Sequence, residues 1–377
     1  MNTKRFPYVP LFLLMLILFF ITLACKDSGI GIFYSLEVET KLGDYSLKNS
    51  ISVGSLALLG SDFYIAAGSV YKRGVDLSDW TALAPPGDSY LSSELVNFKD
   101  GAYACFYSLD GKTSTLYKLT DTTWNPVQVE AENRRVTGIV ATGEVLFVSV
   151  KNSDDTNYSL YQSADGVDFA DTNLDVSTPL ISGTYDGTNL WLVSYSSIIR
   201  GPVSGPLTEL ADTEKPEAKY GYGGIYYSQG LNTLFLSTTS IDSKGFVFAF
   251  QNGAWGVPSA QAGDRLTDFA EFTAITATGT TLTIILVGSK AGYYEMMFDG
   301  SVDINGLSPQ KPTTSSYSTD INYHNTVLSD SSILKFFVYN NGTPAAADDD
   351  VIFACTSGQG LWRNQKKDSA GRAWSRE

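Results

Sequence analysis

The stretch Val136-Thr137-Gly138-Ile139-Val140-Ala141, Thr142-Gly143-Glu144, Val145-Leu146-Phe147-Val148-Ser149-Val150, followed by Leu160-Tyr161 and Phe169, decides the fold. It reads as an apolar run, a tight turn, a second apolar run, an apolar pair and an outlying aromatic. Short runs rich in β-branched residues and bounded by turn residues are strands, and a Gly-centred turn between two of them is a hairpin. One such unit cannot bury both its faces alone.

The apolar pair returns along the chain as Val70-Tyr71, Leu116-Tyr117, Leu160-Tyr161, Ile198-Ile199, Val247-Phe248, Tyr293-Tyr294 and Leu361-Trp362. Successive first residues lie 46, 44, 38, 49, 46 and 68 apart. A period of about 45 residues made of four short strands is that of a propeller blade. The other parts of the unit recur with it. Turns stand at Gly60-Ser61-Asp62, Lys99-Asp100-Gly101, Asp186-Gly187-Thr188 and Thr278-Gly279-Thr280, and Trp80, Trp124, Trp255 and Trp374 occupy the place of Phe169. Helical periodicity is absent beyond the N-terminus. Aromatics at 13%, 34 glycines and only 18% charged residues agree with a β-rich globular array.

The expected fold is therefore all-β, a seven-bladed β-propeller of four-stranded blades, with eight blades as the competing count. Two features keep that alternative open. Gly31-Ile32-Phe33-Tyr34-Ser35 reads like Gly360-Leu361-Trp362-Arg363-Asn364, and residues 307–332 stretch the last interval. We expect the first to close the ring by pairing with the last blade, which would hide two sheet edges. The second reads as an insertion, within which Asp320 to Leu328 could form a strand.

Lys4 and Arg5 precede the apolar run Leu11 to Ala24 and then Cys25. That run is too short to cross a bilayer and suits an export signal. Ile21-Thr22-Leu23-Ala24-Cys25 resembles the lipobox of bacterial lipoproteins, with Thr22 where Leu is usual. The resemblance implies cleavage before Cys25 and a lipid on its sulfur, with the membrane as a partner through that lipid. Domains follow as a signal peptide over 1–24, a tether over 25–30 and the propeller over 31–377. The expected location is the outer membrane or cell surface, with the periplasmic face as an alternative. Removing residues 1–24 loses two basic residues and no acid, moving the formal charge from -14 to -16. An acidic chain without basic clusters does not bind nucleic acid.

Cys105 and Cys355 fall near the ends of second strands in blades two and seven. A whole blade lies between them, beyond disulfide reach, so both are expected as buried free thiols.

The sequence offers no catalytic set and no cofactor or metal site. His324 is the only histidine, so neither a Ser-His-Asp arrangement nor a His-based metal site can be assembled. Asp154-Asp155 and Asp348-Asp349-Asp350 carry oxygens a hard cation wants. They lack the spaced ligands and central Gly of a calcium loop and read as solvated turns. Ser163-Ala164-Asp165-Gly166-Val167-Asp168-Phe169 resembles the Asp-box hairpin of sialidase-like and sortilin-like propellers, which implies a structural turn on outer strands. Sialidases also converge three arginines on a carboxylate. Here Arg200 and Arg363 follow the apolar pair on an outer strand and are expected to face solvent.

In propellers the loops from strand two to strand three, and from one blade to the next, share one face, the top. This places residues 110–114, 151–157, 210–222, 241–244 and 307–332 there, opposite a face of tight turns. Binding residues concentrate on loops held by a rigid scaffold. Gly223-Gly224-Ile225 reads as an inner strand with Tyr220, Tyr222, Tyr226 and Tyr227 packed around it, the alternative being that they stack on a ligand, with Tyr220 and Tyr222 as the more exposed pair. The candidates are these two with Tyr317, Tyr323, His324, Asp154 and Asp155. The leading function is a non-catalytic, lipid-anchored propeller that binds a protein or glycan through its top face. An envelope-assembly scaffold is one alternative. A glycan-active enzyme, sialidase-like or another glycosidase, is the other. The enzyme would need a carboxylate pair with a raised pKa at the top of the channel.

Overall fold

The computed structural model describes residues 47, 52–76, 79–91, 94–130, 134–216, 221–239, 244–262, 265–276, 278–313, 322–340, 350–366 and 372–377. The chain divides into residues 1–48 and 49–377, and apart from Leu47 all described residues belong to the second unit. Cys25, the 31–35 strand, Tyr220, Tyr317, Asp348 and Asp349 lie outside the described residues.

Seven antiparallel sheets follow one another along the chain as the blades of a propeller. Every apolar pair used to find the repeat lies in the third strand of its sheet, from Ser69–Gly74 in blade one to Leu361–Lys366 in blade seven. The predicted turns join first to second strands. Their backbone needs explain their composition, with φ of 91° at Gly143 and 51° at Lys99. Second strands are the most buried, because both faces meet neighbouring blades: Leu146–Lys151 and Thr233–Thr239 are apolar or small almost throughout.

First strands ring the channel, each beside the first strand of the next blade, and the ring closes where blade one meets blade seven. They are Ser55–Leu59, a split strand of Ser89–Leu91 and Val96–Phe98, Val136–Ala141, Leu180–Tyr185, Gly221–Ser228, Leu266–Ile275 and Ser332–Tyr339. In blades three to seven the register slips near the start of this strand, after Val136, Leu180, Tyr222, Leu266 and Ile333. A bulge leaves backbone groups without ladder partners.

Hydroxyls at every junction between blades meet this need. Ser114 Oγ donates to the Val136 carbonyl at 2.7 Å, and the Leu180 N–H donates to Ser149 Oγ at 2.9 Å. Ser182 Oγ donates to the Ile225 carbonyl at 3.2 Å, Ser237 Oγ to that of Thr267 at 2.7 Å, and Thr267 Oγ1 to that of Ile333 at 2.9 Å. The Leu95 N–H donates to Ser55 Oγ at 2.6 Å between blades one and two.

Closure uses the same vocabulary. The last blade is complete as Ser332–Tyr339, Val351–Ser357, Leu361–Lys366 and Arg372–Arg376. It joins blade one through the Val53 N–H on the Thr356 carbonyl at 3.0 Å and the Gly358 N–H on Ser52 Oγ at 2.9 Å. Phe63 packs edge-on against Phe337, Tyr339 and Phe353. Glu377 is held between Arg73 of blade one and Arg363 of blade seven, the latter at 2.9 Å.

Of the 320–328 stretch considered as a strand, the described residues 322–328 do not form one. Within the described residues they form short 3₁₀ turns at Tyr323–Asn325 and, continuing beyond, Val327–Asp330. The reason lies in blade six, which has three strands and, in the fourth place, a lone bridge from Glu295 to Gln310. Leu307, Tyr323 and Leu328 are buried and cover apolar surface that a full fourth strand would hide. Cys105 and Cys355 are both buried and are not bridged to each other, as their strand positions require.

Candidate functional site: the channel and its upper mouth

First strands bring side chains from every blade to the channel axis. The upper cavity, about 490 Å³, opens beside Ser52, Gly54 and the strand two-to-three turn at Gly68, which is the top face. The lower one, about 280 Å³, is lined by residues of all seven blades. Glu94, Ile139 and Ile181 line both, so they form the waist between them.

Three charged side chains meet there from separate blades. Glu94 stands in the break of the split first strand of blade two, Asp268 in the bulge of blade six, and Lys335 just past the bulge of blade seven. Lys335 Nζ lies 3.4 Å from Glu94 Oε2 and 4.0 Å from Asp268 Oδ1, and donates to the Ile181 carbonyl at 3.4 Å. Asp268 Oδ2 accepts the Phe336 N–H at 2.9 Å. Burial pushes the Glu94 carboxyl above the ordinary carboxylate value, Lys335 pulls it back, and Asp268 pushes it up again. The Glu94 side chain is 44% exposed, yet that surface faces a narrow channel, so burial governs its charge. Burial alone would lower Lys335, but Glu94 and Asp268 outweigh it and hold the ammonium above the usual lysine value. Beneath them the Cys355 thiol is pushed up, first by burial and then by the two carboxylates.

A rim of rings flanks the mouth. Tyr90, next to the cavity-lining Leu91, is exposed and meets Tyr107 edge-on with centroids 5.5 Å apart. The Arg135 guanidinium sits 4.6 Å from the Tyr107 ring centroid and donates to its hydroxyl at 2.9 Å and 3.1 Å. Leu109 and Tyr195 are exposed on other loops of the same face.

The sequence candidates are dispersed. Tyr222, offered as a binding candidate, is 2% exposed and packs in the core shared by blades four and five, beside the inner strand read at Gly223-Gly224-Ile225. The bulge at Gly223 turns it inward, and burial pushes its phenol up to about 12. Tyr323 is fully buried, accepts the Tyr293 N–H at 3.1 Å and packs on the Tyr293 ring. Neither has side-chain surface to offer a ligand. His324 is exposed, with Nε2 2.8 Å from the Pro312 carbonyl. Asp154 accepts the Thr156 N–H at 3.0 Å, and Asp155, with φ of 60°, pairs with Lys151 at 2.8 Å. They make a solvated turn. Among the described residues no group of three His, Cys, Asp or Glu is placed to hold a metal.

Arg200 and Arg363 also depart from expectation. Arg200 lies 4.7 Å from the Trp191 ring of its own blade and 6.0 Å from that of Phe250 in the next, and Arg363 pairs with Glu377, so both are engaged by neighbouring side chains. The Asp-box-like segment is an outer-strand turn between the third and fourth strands of blade three. Asp165 Oδ1 accepts the Val167 and Asp168 N–H groups at 2.8 and 2.9 Å and the Ser163 hydroxyl at 2.8 Å. Those bonds hold its carboxyl down at about 2.

Sequence reasoning missed Glu94, Asp268 and Lys335. The available signal was a charge interrupting an otherwise apolar first strand, as in Leu266-Thr267-Asp268-Phe269 and Ile333-Leu334-Lys335-Phe336, since buried charges come with partners.

No family model and no curated protein matches the chain. Solved structures do. The chain is similar to the Niastella koreensis GH74 enzyme at 14% identity, with a TM-score of 0.56, covering 86% of this chain and 53% of that one. YCF48 bound to D1 peptide matches at 10% identity and a TM-score of 0.53, over 85% of this chain and 95% of that one. The extracellular domain of the B. thetaiotaomicron putative one-component system BT4673 matches at 11% and 0.52, over 83% of this chain. This chain spans about 38% of that BT4673 chain. At these identities the likeness establishes a shared β-propeller fold.

Proposed function

We propose that this chain is an exported binding protein, tethered by lipid on Cys25, that takes part of a protein or glycan ligand into the upper mouth of its propeller channel. The upper cavity of about 490 Å³ on the top face carries this reading. Its volume falls in the range of ligand sites, its walls are mostly apolar, and it has one charged group at its floor. The Tyr90, Tyr107 and Arg135 rim adds rigid contact surface. A second cleft, of about 460 Å³, lies at the outer rim of blades two and three, away from the channel, with Glu130 and Asp168 as its charged lining residues. The similar YCF48 structure holds a peptide, which supports a protein ligand by analogy of fold.

Replacing Tyr90 or Tyr195 with a photo-crosslinking residue in intact cells tests this reading. Adducts are expected from these top-face positions and not from Ser61 or Thr188 in the tight turns opposite. Equal labelling from both faces, or none from the top, overturns it.

A glycan-active enzyme is the second reading, favoured by Glu94 with its raised pKa beside Asp268 and by the similarity to a GH74 enzyme. The geometry weakens it. Lys335 stands between the two carboxylates and pairs with both, and Asp268 also accepts the Phe336 amide.

A further inference from the structure

Resting on the reading of the mouth as a binding site, we infer that the upper cavity takes a primary ammonium group on an apolar stem, with Glu94 as its counter-ion. Among the described residues Glu94 is the only charged side chain lining that cavity. Around it stand Leu91, Ile139, Pro179, Leu180, Ile181 and Leu334, a wall for an aliphatic stem.

The charge balance selects the sign. With Glu94 ionised, two carboxylates and one ammonium leave a negative excess at the waist, and Lys335 lines only the lower cavity. An anionic ligand would meet that excess inside a chain of net charge -14. A sugar hydroxyl array would find only the Ser52 and Thr137 hydroxyls besides Glu94 among the lining side chains. A guanidinium prefers a carboxylate presenting both oxygens, whereas Glu94 Oε2 is committed to Lys335. An ammonium is a point charge and needs no such fork. Bringing it to Glu94 also relieves the strain of a carboxylate in a channel, whose pKa is raised by burial.

The groups facing Glu94 are Asp268 and Lys335, with the Cys355 thiol behind them. Lys335 and Cys355 have raised pKa values, so they do not change charge as the solution is acidified below neutrality. Ammonium affinity should then fall on acidification as Glu94 takes up a proton.

Calorimetric titration of the full chain tests the inference with four probes: n-pentylamine, Nα-acetyl-lysine methylamide, n-pentanol and pentanoate. At least one amine should bind ten-fold or more tighter than pentanol and pentanoate, and Glu94→Gln, titrated below its own melting temperature and with native circular dichroism, should weaken it at least ten-fold. Binding of the lysine mimic alone identifies a protein side chain as the source, and binding of pentylamine a free amine. Pentanol binding as tightly as the amines, or Glu94→Gln leaving amine affinity intact, overturns the inference. If no amine binds while Tyr90 still crosslinks a partner, the ammonium inference falls and the binding reading stands. If crosslinking fails as well, both fall.

Discussion

Asp165 shows how one carboxylate can fix a turn. It accepts two backbone amides and a hydroxyl, and its pKa is held near 2. A carboxyl depressed in the folded state adds stability above its unfolded pKa, about 3.9. That stability is lost as pH falls through the folded value. Asp165→Ala should therefore melt earlier than the parent at pH 7, with the gap closing between pH 4 and pH 2 in thermal scans. This turn was legible because its bonds are local. The Glu94, Asp268 and Lys335 cluster was not, since its members come from three blades and meet only once the ring is built. Tyr222 failed for a related reason, because a single-residue bulge at Gly223 changes which face a side chain takes.

Elements were read well wherever sequence period sufficed. The seven apolar pairs found the third strands, and the turn residues found the hairpins. The bulges left no shared composition signal, since residues as different as Thr137, Ile181, Gly223 and Leu334 stand in them and a neighbour satisfies the freed backbone groups. That neighbour is a small hydroxyl in an apolar strand, such as Ser149 in Leu146–Lys151 or Ser237 in Thr233–Thr239. Ser149→Ala leaves the buried Leu180 amide without this acceptor, and Ser237→Ala removes the hydroxyl donor from the Thr267 carbonyl. Each should cost about 1–2 kcal/mol in urea unfolding. The two junctions share no residue, so the double variant should lose close to the sum. A double loss well below the sum would show that the junctions relax together.

The whole molecule depends on where its last blade meets its first. Glu377 and Arg73 are each only 6% exposed and share the junction with Arg363. Glu377→Ala leaves the Arg73 charge buried without this counter-ion, a change that costs about 3–5 kcal/mol. Chemical denaturation should show that loss as a lower midpoint, and an unchanged midpoint would remove the ion group from any part in closure. Blade count was legible down to seven. The strand expected to close the ring lies outside the described residues, and the described junction is made by side chains and two backbone amides.

This closure gives the ring the mechanics of a hoop. In an open solenoid a terminal repeat peels away by breaking one interface, so the array frays from its ends. Here every blade is gripped on both sides, from the Ser52 and Val53 contacts round to Thr267, and detaching any one requires two interfaces to fail at once. Slack at one sector is taken up by its neighbours, which keeps the mouth at a fixed bore while the loops above it are free to differ.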